Sequence, residues 1–326
     1  MRYWWVNQSQ TYLHEMRGGF LWSPKRKTDG KANPFYDFMR EVAPNDVVFS
    51  FADGAIKAIS FVVSHAYEAP KPMEFGAAGA YWNMIGWRVD VHYNELRHSE
   101  IRPVDHMHVL RPLLPKKYSP VRENGYGQQS MYLTKLSDEF AGALVDLIGF
   151  DARLIIQGNR VAEPLAESVA IGQVQWEEHE IEQVRSNTQM EATQREAIVL
   201  ARRGHGLFKT RVGRIERACR VTKVDRIEHL RASHCKPWRD SNDEERLDGE
   251  NGLLLTPSID HLFDRGFISF DANGDVLVSP VAHSESLERM GVHVHGVVNV
   301  GGFSSGQAKF LEYHRENVYL RSRFLQ

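Results

Sequence analysis

Hydrophobic and polar residues alternate along much of the first half of the chain. The segments YWWV, DVVFSF, AIKAISFVV and IGWRVDVHYNEL follow the two-residue period of strands. Asp53 and Gly54 lie between the second and third of these segments and predict a hairpin turn. LSDEFAGALVDLIG has the three- and four-residue spacing of an amphipathic helix, which would close this half. Several strands with few, short helices favour a small barrel over a parallel sheet.

The middle of the chain has a different pattern. Residues 151–195 are acidic and Gln-rich, with scattered apolar residues, and this composition predicts a connector with helical pieces. Val174, Ile181 and Val184 are spaced for one helix face, so a partner helix is possible. We therefore expect a strand-rich domain over 1–150, a helical connector over 151–195 and a second domain over 196–326.

The second domain contains a run of polar residues that an apolar pattern would not place there. RASHCKPW predicts a short strand ending near His234, and a polar loop leads to Asn251 at the start of NGLLL, where Asn-Gly predicts a turn. In PSIDHLFDRG, Ile259, Leu262 and Phe263 mark the apolar face of a short helix. Asp260 and Asp264 are four residues apart and share a face of it.

These residue types suit the hydrolysis of a phosphodiester, which requires a nucleophile made from water and a cation to offset charge on the phosphate. His234 is the candidate general base, because an imidazole titrates near neutral pH. Asp260, with Asp264, offers hard oxygen ligands for Mg²⁺ or Mn²⁺. The alternative is that His234 is a satisfied strand histidine and Asp260 a helix cap.

The strand, loop, strand and helix, with His234, Asn251 and Asp260 in that order, resemble the HNH or ββα-metal nucleases. The resemblance implies that His234 activates water, that Asn251 holds the loop and that Asp260 binds the metal. Many members carry an Asp or His directly before the base as a second metal ligand, where this chain has Ser233. A water molecule, Asp264 or the substrate phosphate would then complete the ligand set. We expect His261 to turn away from the metal.

The first half resembles another family. YWWVNQSQTY, FLWSPK, NPFYDFMREVAPNDVVFSF and IGWRVDV are similar to the EVE branch of the PUA-like fold, whose relatives read modified bases. The resemblance implies a pocket with aromatic walls that receives a flipped-out base. Stacking on aromatic rings is worth about 1–3 kcal/mol per base. We expect Trp22 and Trp82 to form this pocket, with Ser23 and Asn33 bonding to the base edge.

Two basic stretches are candidates for the nucleic-acid backbone. Lys25 and Arg26 lie in the turn-forming loop SPKRKTDGK beside Trp22. Arg211, Arg214 and Arg217 recur at three-residue spacing ahead of the nuclease motif, opposite an apolar stripe that includes Phe208 and Val212. A solvated surface explains either stretch as an alternative; contacts to phosphates would make binding sensitive to salt.

Composition narrows the class of protein. The formal net charge of −2 excludes a uniformly basic coat, so a nucleic-acid partner would contact local patches. The 2 cysteines are too few for a disulfide framework or a structural zinc site. No apolar run approaches the ~20 residues that cross a bilayer, and MRYWWVNQSQ lacks the apolar core of a signal peptide. We expect a cytoplasmic protein without membrane contact.

Together these features predict an α+β protein, in which a PUA-like (EVE) β-barrel domain with flanking helices precedes a ββα-metal HNH nuclease domain with surrounding helices. The resemblance implies a modification-dependent DNA endonuclease that senses 5-methylcytosine or 5-hydroxymethylcytosine in double-stranded DNA. One active site per chain favours a homodimer for cutting both strands. The alternatives are a non-catalytic reader of modified nucleic acid and an RNA-directed nuclease.

Overall fold

The chain forms two compact units in the computed structural model, which describes residues 1–128, 131–161, 171–202 and 204–324. The first unit comprises Met1–Ile171 and Ser322–Gln326, and the second comprises Gly172–Arg321. These bounds differ from the expected domains, because the helix after residue 171 belongs to the second unit. Residues 162–170 of the expected connector lie outside the described residues. No helix of the described residues is long and apolar enough to cross a membrane.

A curved sheet of seven strands forms the first unit, in the order β2-β6-β4-β3-β1-β7 with β5 paired to β6. The strands are β1 (Tyr3–Asn7), β2 (Phe20–Pro24), β3 (Val47–Ala52), β4 (Ala55–Val62), β5 (Tyr67–Pro70), β6 (Ile85–Glu95) and β7 (Leu133–Leu136). β1 and β3 are parallel, and the other pairs are antiparallel. The β3-β4 turn is the predicted one, with φ of 52° at Asp53 and 83° at Gly54.

Short helices flank this sheet. They are α1 (Tyr12–Gly18), α2 (Pro34–Asp37), α3 (Met107–Leu110), α4 (Asp138–Ile148) and α5 (Phe150–Val161). α2 begins at Pro34 and continues as a 3-10 helix after Asp37. α4 packs Phe140, Leu144 and Ile148 into a core shared with Trp5 of β1. The amphipathic spacing of this helix therefore predicted its buried face correctly.

The second unit consists of two small antiparallel strand pairs and the helices around them. Its strands are β8 (Arg231–His234), β9 (Gly252–Leu255), β10 (Ile268–Phe270) and β11 (Val276–Val278). Its helices are α6 (Ile171–Ser186), α7 (Ala192–Arg202), α8 (Gly206–Ile215), α9 (Pro257–Asp264), α10 (Ser284–Arg289) and α11 (Ser305–Asn317). Both faces of β9 are buried in one apolar core, which also takes Phe208 from α8 and Phe310 from α11.

One local expectation for the second unit was wrong. Asn251 and Gly252 do not form a turn, because Asn251 ends a 3-10 helix and Gly252 begins β9 with an extended φ of −147°. In the core of this unit, His314 is 1% exposed and its ring lies flat on Phe263. The predicted α+β class is confirmed.

Candidate active site

The candidate site is the β8-loop-β9-α9 segment. β8 and β9 pair antiparallel, with Ser233 opposite Leu253 and His234 opposite Gly252. α9 follows β9 and packs Ile259, Leu262 and Phe263 into the core, as its spacing predicted. The opposite face of α9 carries Asp260 and Asp264. These two carboxylates line the same cavity of about 240 Å³ as Ser233 and His234.

The imidazole of His234 lies flat against the ring of Phe208. The ring centroids are 3.8 Å apart and the planes differ by 5°. Gly252, directly across the strand pair, leaves room for this contact: a Cβ there would lie 2.4 Å from Val212 Cγ2 and 2.8 Å from Phe208 Cζ. The glycine of the Asn-Gly pair therefore admits the aromatic ring that fixes the histidine.

One ring nitrogen of His234 has a defined partner. Nε2 is 3.0 Å from the carbonyl oxygen of Arg246. Because a carbonyl oxygen can only accept, Nε2 carries the proton and donates it, and Nδ1 holds the lone pair. Burial lowers the pKa of His234 to about 4. The hydrogen bond to the Arg246 carbonyl opposes this shift, and the positive charge of Arg202 lowers the pKa further. The imidazole is neutral near pH 7, which is the state that a general base requires.

Asn251 is fully buried and holds the loop between β8 and β9. Its Oδ1 accepts a hydrogen bond from the Lys236 amide at 2.7 Å. Its Nδ2 donates to the carbonyl oxygens of Lys236 at 3.2 Å and Glu245 at 3.0 Å, and to Ser241 Oγ at 3.2 Å. These bonds fix the loop that presents the Arg246 carbonyl to His234.

The acidic residues occupy one side of the cavity. Burial raises the pKa of Asp260, and the nearby charge of Asp264 raises it further. Hydrogen bonds from the Ser233 hydroxyl and from Arg231 act in the opposite direction, with Arg231 Nη1 3.4 Å from Asp260 Oδ2. His261 is exposed, although it also lines the cavity.

The donor set fits a hard divalent cation. Two carboxylates one helical turn apart, with a hydroxyl hydrogen-bonded to one of them, are the oxygen ligands that Mg²⁺ and Mn²⁺ prefer. Burial and the charge of Asp264 disfavour the ionised form of Asp260, and a bound cation would offset both effects. No group of three His, Cys, Asp or Glu side chains among the described residues forms a ready-made metal site. Water or substrate oxygens would have to complete the shell.

Charged residues that the sequence analysis did not assign to the active site also line the cavity. Glu177 comes from α6, Arg202 from the end of α7 and Arg239 from the loop after β8. The carboxylate of Glu177 pairs with both guanidinium groups, at 3.2 Å in the case of Arg239. No spacing rule connects positions so far apart along the chain, so no local signal could have joined them.

The expected base-pocket residues are only partly brought together. The rings of Trp22 and Trp82 are stacked, with centroids 6.1 Å apart and planes 26° apart. Trp22 is 1% exposed and its Nε1 donates to the Ala69 carbonyl oxygen at 3.2 Å, whereas Trp82 is half-buried. Ser23 lies on the opposite side of β2 from Trp22, because successive strand residues face opposite sides of a sheet, and it pairs with Trp87. Asn33 is buried and caps α2 through a bond from the Phe35 amide.

The basic loop of the first unit also differs from expectation. Lys25 does not face solvent for a phosphate contact: its ammonium pairs with buried Glu68 and lies 4.5 Å from the centroid of the Trp87 ring. Arg26 is half-buried, and its backbone bridges Ala32 across the loop. A buried carboxylate and an aromatic face attracted Lys25 inward, which the sequence pattern could not show.

The arginines ahead of the motif stay at the surface. Arg211 and Arg214 lie on the exposed side of α8, with Phe208 and Val212 buried on the other, as predicted. Arg211 donates to the Leu247 carbonyl oxygen at 2.8 Å. Arg217 is exposed but lies beyond the end of α8 at Ile215, so the three arginines do not share one helix.

Residues 219–271 match the family model of the HNH endonucleases. This range contains β8, β9 and α9, with His234, Asn251, Asp260 and Asp264. The nuclease resemblance of the sequence is therefore confirmed for this segment. Comparison with curated proteins finds no match.

Solved structures provide further likenesses. A Pseudomonas putida protein is 17% identical over 45% of this chain and 99% of its own, with a TM-score of 0.32. The human THYN1 protein, solved with DNA containing 5-methylcytosine, is 13% identical over 46% of this chain and 99% of its own, with a TM-score of 0.32. The YTH domain of the Zygosaccharomyces rouxii MRB1 protein, solved with N6-methyladenosine RNA, is 13% identical over 46% of this chain and 87% of its own, with a TM-score of 0.28.

Proposed function

Because residues 219–271 form an HNH endonuclease domain, we propose that this chain is a modification-dependent DNA endonuclease. Its second unit would hydrolyse the backbone, and its first would sense 5-methylcytosine or 5-hydroxymethylcytosine in double-stranded DNA. The observation that carries the nuclease activity is the neutral imidazole of His234, oriented by Phe208 and the Arg246 carbonyl in a cavity that Asp260 and Asp264 also line.

His234 is the general base of this proposal. Its Nε2 is engaged with Arg246, so Nδ1 takes the proton from the attacking water. The imidazolium that forms keeps its bond to the carbonyl oxygen, which stabilises the positive charge. Asn251 acts through the loop and is a positioning residue, since all its bonds are to loop groups.

Asp260 and Asp264, with Ser233, would hold Mg²⁺ or Mn²⁺. When bound, such a cation supplies the positive charge that offsets the growing negative charge on the phosphate. Asp260 meanwhile keeps the ligand side of α9 fixed through its bond from the Ser233 hydroxyl. Arg231, now paired with Asp260, would be released towards the DNA backbone.

For recognition we propose that the modified base stacks against Trp82 and Trp22. An extruded base loses its stacking partners, and aromatic rings restore them. The rings are 6.1 Å apart, and a base between them needs roughly twice the 3.5 Å contact distance of stacked atoms, so Trp82 must move outward. Trp82 can do so because it is half-buried on the segment between β5 and β6.

The exposed Arg211, Arg214 and Arg217 would contact phosphates near the nuclease site. Cutting both strands with one site per chain further leads us to propose a homodimer on the DNA, in the cytoplasm where restriction acts.

The test is a panel of otherwise identical plasmids that carry cytosine, 5-methylcytosine, 5-hydroxymethylcytosine or glucosylated hydroxymethylcytosine. We expect cutting of one or both of the first two modified forms in Mg²⁺ or Mn²⁺ and none of unmodified DNA. His234→Ala should lower the rate by about 10²–10⁴-fold. His293→Ala is the matched control, because His293 is exposed and lies outside the cavity.

Absence of cutting by the wild-type protein in both metals would overturn the nuclease proposal and favour a non-catalytic reader. Competition with modified single-stranded RNA addresses the remaining alternative. If that RNA is itself cut, or inhibits more strongly than modified duplex DNA, the substrate is RNA.

A further inference from the structure

A single carboxylate joins two arginines at the wall of the nuclease cavity. One oxygen of Glu177 pairs with Arg202, and the other is 3.2 Å from Nη1 of Arg239. Glu177 is 12% exposed at its side chain and Arg239 is 3% exposed. A guanidinium this deeply buried requires a fixed anionic partner, because an unpaired buried charge is costly. Burial opposes the charge of Arg239, but the carboxylates of Asp240, Glu177 and Asp264 raise its pKa.

The backbone also holds Arg202 in place. Gly204 follows α7 with φ of 66°, and a Cβ there would lie 2.6 Å from the Ala232 carbonyl oxygen in β8. The indole Nε1 of Trp238 donates to the Ile198 carbonyl oxygen of α7 at 3.0 Å. The end of α7 is thus fixed against the strand that carries His234.

This arrangement places guanidinium groups where a phosphate would enter. The cavity is lined by the base His234, by the acidic pair on α9 and, on α7 and the β8-β9 loop, by Arg202 and Arg239. A phosphodiester in the transition state carries more negative charge than in its ground state, and preorganised cations stabilise that charge. A guanidinium offers paired donors that match two phosphate oxygens.

We propose, on the basis of the nuclease function above, that Arg202 and Arg239 bind the scissile phosphate and that Glu177 is the positioning residue that aims them. The acidic helix α6 is then a part of the nuclease site, although Glu177 lies 57 positions before His234 and outside the matched family segment. The competing arrangement is that Glu177 occupies the place of the phosphate and inhibits the enzyme. The two differ in the direction in which removal of the carboxylate changes the rate.

The experiment measures single-turnover cutting of a modified plasmid at saturating full-length protein, together with the Kd for the same DNA. Glu177→Gln keeps the shape and removes the charge, and we expect cutting to slow by about 10- to 100-fold. The Kd should change little, because contacts between the protein and the DNA outside the cavity would dominate the affinity. Glu177→Asp keeps the charge, and its cutting rate should lie between those of Glu177→Gln and the wild type. Glu182→Gln is the matched control, because Glu182 is on the same helix but 71% exposed.

Arg202→Ala supplies a second measurement that a purely structural role would not affect. We expect a loss of about 100-fold or more, by analogy with removal of one transition-state donor, and partial recovery on adding free guanidinium ion. Cutting by Glu177→Gln at or above the wild-type rate, or no recovery of Arg202→Ala by guanidinium, overturns the inference while leaving the nuclease proposal intact. Failure of the wild-type protein to cut overturns both.

Discussion

The ring of Phe208 lies 3.8 Å from that of His234, in planes that differ by 5°. Phe208 comes from α8 and His234 from β8. Gly252 lies opposite His234 on β9, and because it has no side chain it leaves room for the contact. The stack restricts the imidazole to one plane, and the Arg246 carbonyl then selects its rotation and tautomer. The orientation of the imidazole is thus fixed by the fold itself.

Phe208→Leu should therefore impair chemistry more than folding. The substitution keeps an apolar side chain of similar volume, so the loss of stability should stay near 1 kcal/mol. Without the flat ring the imidazole can tilt, and we expect about a tenfold lower cutting rate. Single-turnover cutting and thermal unfolding measure the two effects. Phe270→Leu, in the same core, is the control and should lose stability alone. An unchanged rate in Phe208→Leu would show that the stack does not orient the base.

Asp260→Asn should change the metal requirement. The amide is a weaker ligand than a carboxylate, so we expect the Mg²⁺ or Mn²⁺ concentration for half-maximal cutting to rise by at least about tenfold. A chelator should abolish wild-type cutting, and readdition of either metal should restore it. The variant should remain folded in the chelator, because burial disfavours the charge of Asp260 in the metal-free protein. A metal dependence identical to that of the wild type would exclude Asp260 as a ligand.

Glu15 predicts a pH dependence of stability in the first unit. Burial raises the pKa of this carboxyl from 4.5 to about 7, against hydrogen bonds from Thr11, Tyr132 and Gln8. The folded protein therefore binds more protons than the unfolded chain between these pH values. The free energy of unfolding is therefore highest below the unfolded pKa of 4.5 and falls as the pH rises to the folded pKa of about 7. The loss is at most about 1.4 kcal/mol per pH unit.

Unfolding of the wild type and of Glu15→Gln, compared on both sides of neutral pH, measures this effect. The wild type should lose stability relative to the variant as pH rises towards 7. Above pH 7 the two curves of unfolding free energy against pH should be parallel. Parallel curves over the whole range would mean that Glu15 titrates normally.

Trp82→Ala should weaken discrimination between modified and unmodified DNA. Loss of one stacking partner is worth about 1–3 kcal/mol, or roughly 5- to 150-fold in Kd for the modified duplex. Affinity for unmodified DNA should hardly change. The neighbouring Tyr81, 87% exposed, provides the control variant Tyr81→Ala. Equal losses for both DNAs would place Trp82 outside the base pocket and leave it as a packing residue of Trp22.

Much of the fold was accessible from local pattern. The positions of the strands β1, β3, β4 and β6 and the apolar faces of α4, α8 and α9 were predicted correctly. The HNH segment was recognisable because its residues lie within one short stretch, where strand and helix geometry fix their spacing. The individual roles of His234, Asn251 and Asp260 stay predictions for the experiments above.

Other features depended on contacts between distant segments. Glu68 and Trp87 turned Lys25 inward, and the alternation of β2 separated Ser23 from Trp22. Glu177 reached its arginines from α6, which by composition was a mere connector.

The sequence by itself therefore determined many of the helices and strands and the HNH segment, since hydrogen bonding along helices and strands depends on residues a few positions apart. Only the tertiary structure decided the stack of Phe208 on His234, the pairing of Glu177 with two arginines and the side of β2 on which each residue lies. These contacts join residues that are far apart in the sequence. Many apolar or charged side chains could make such contacts, and the fold decides which of them come together.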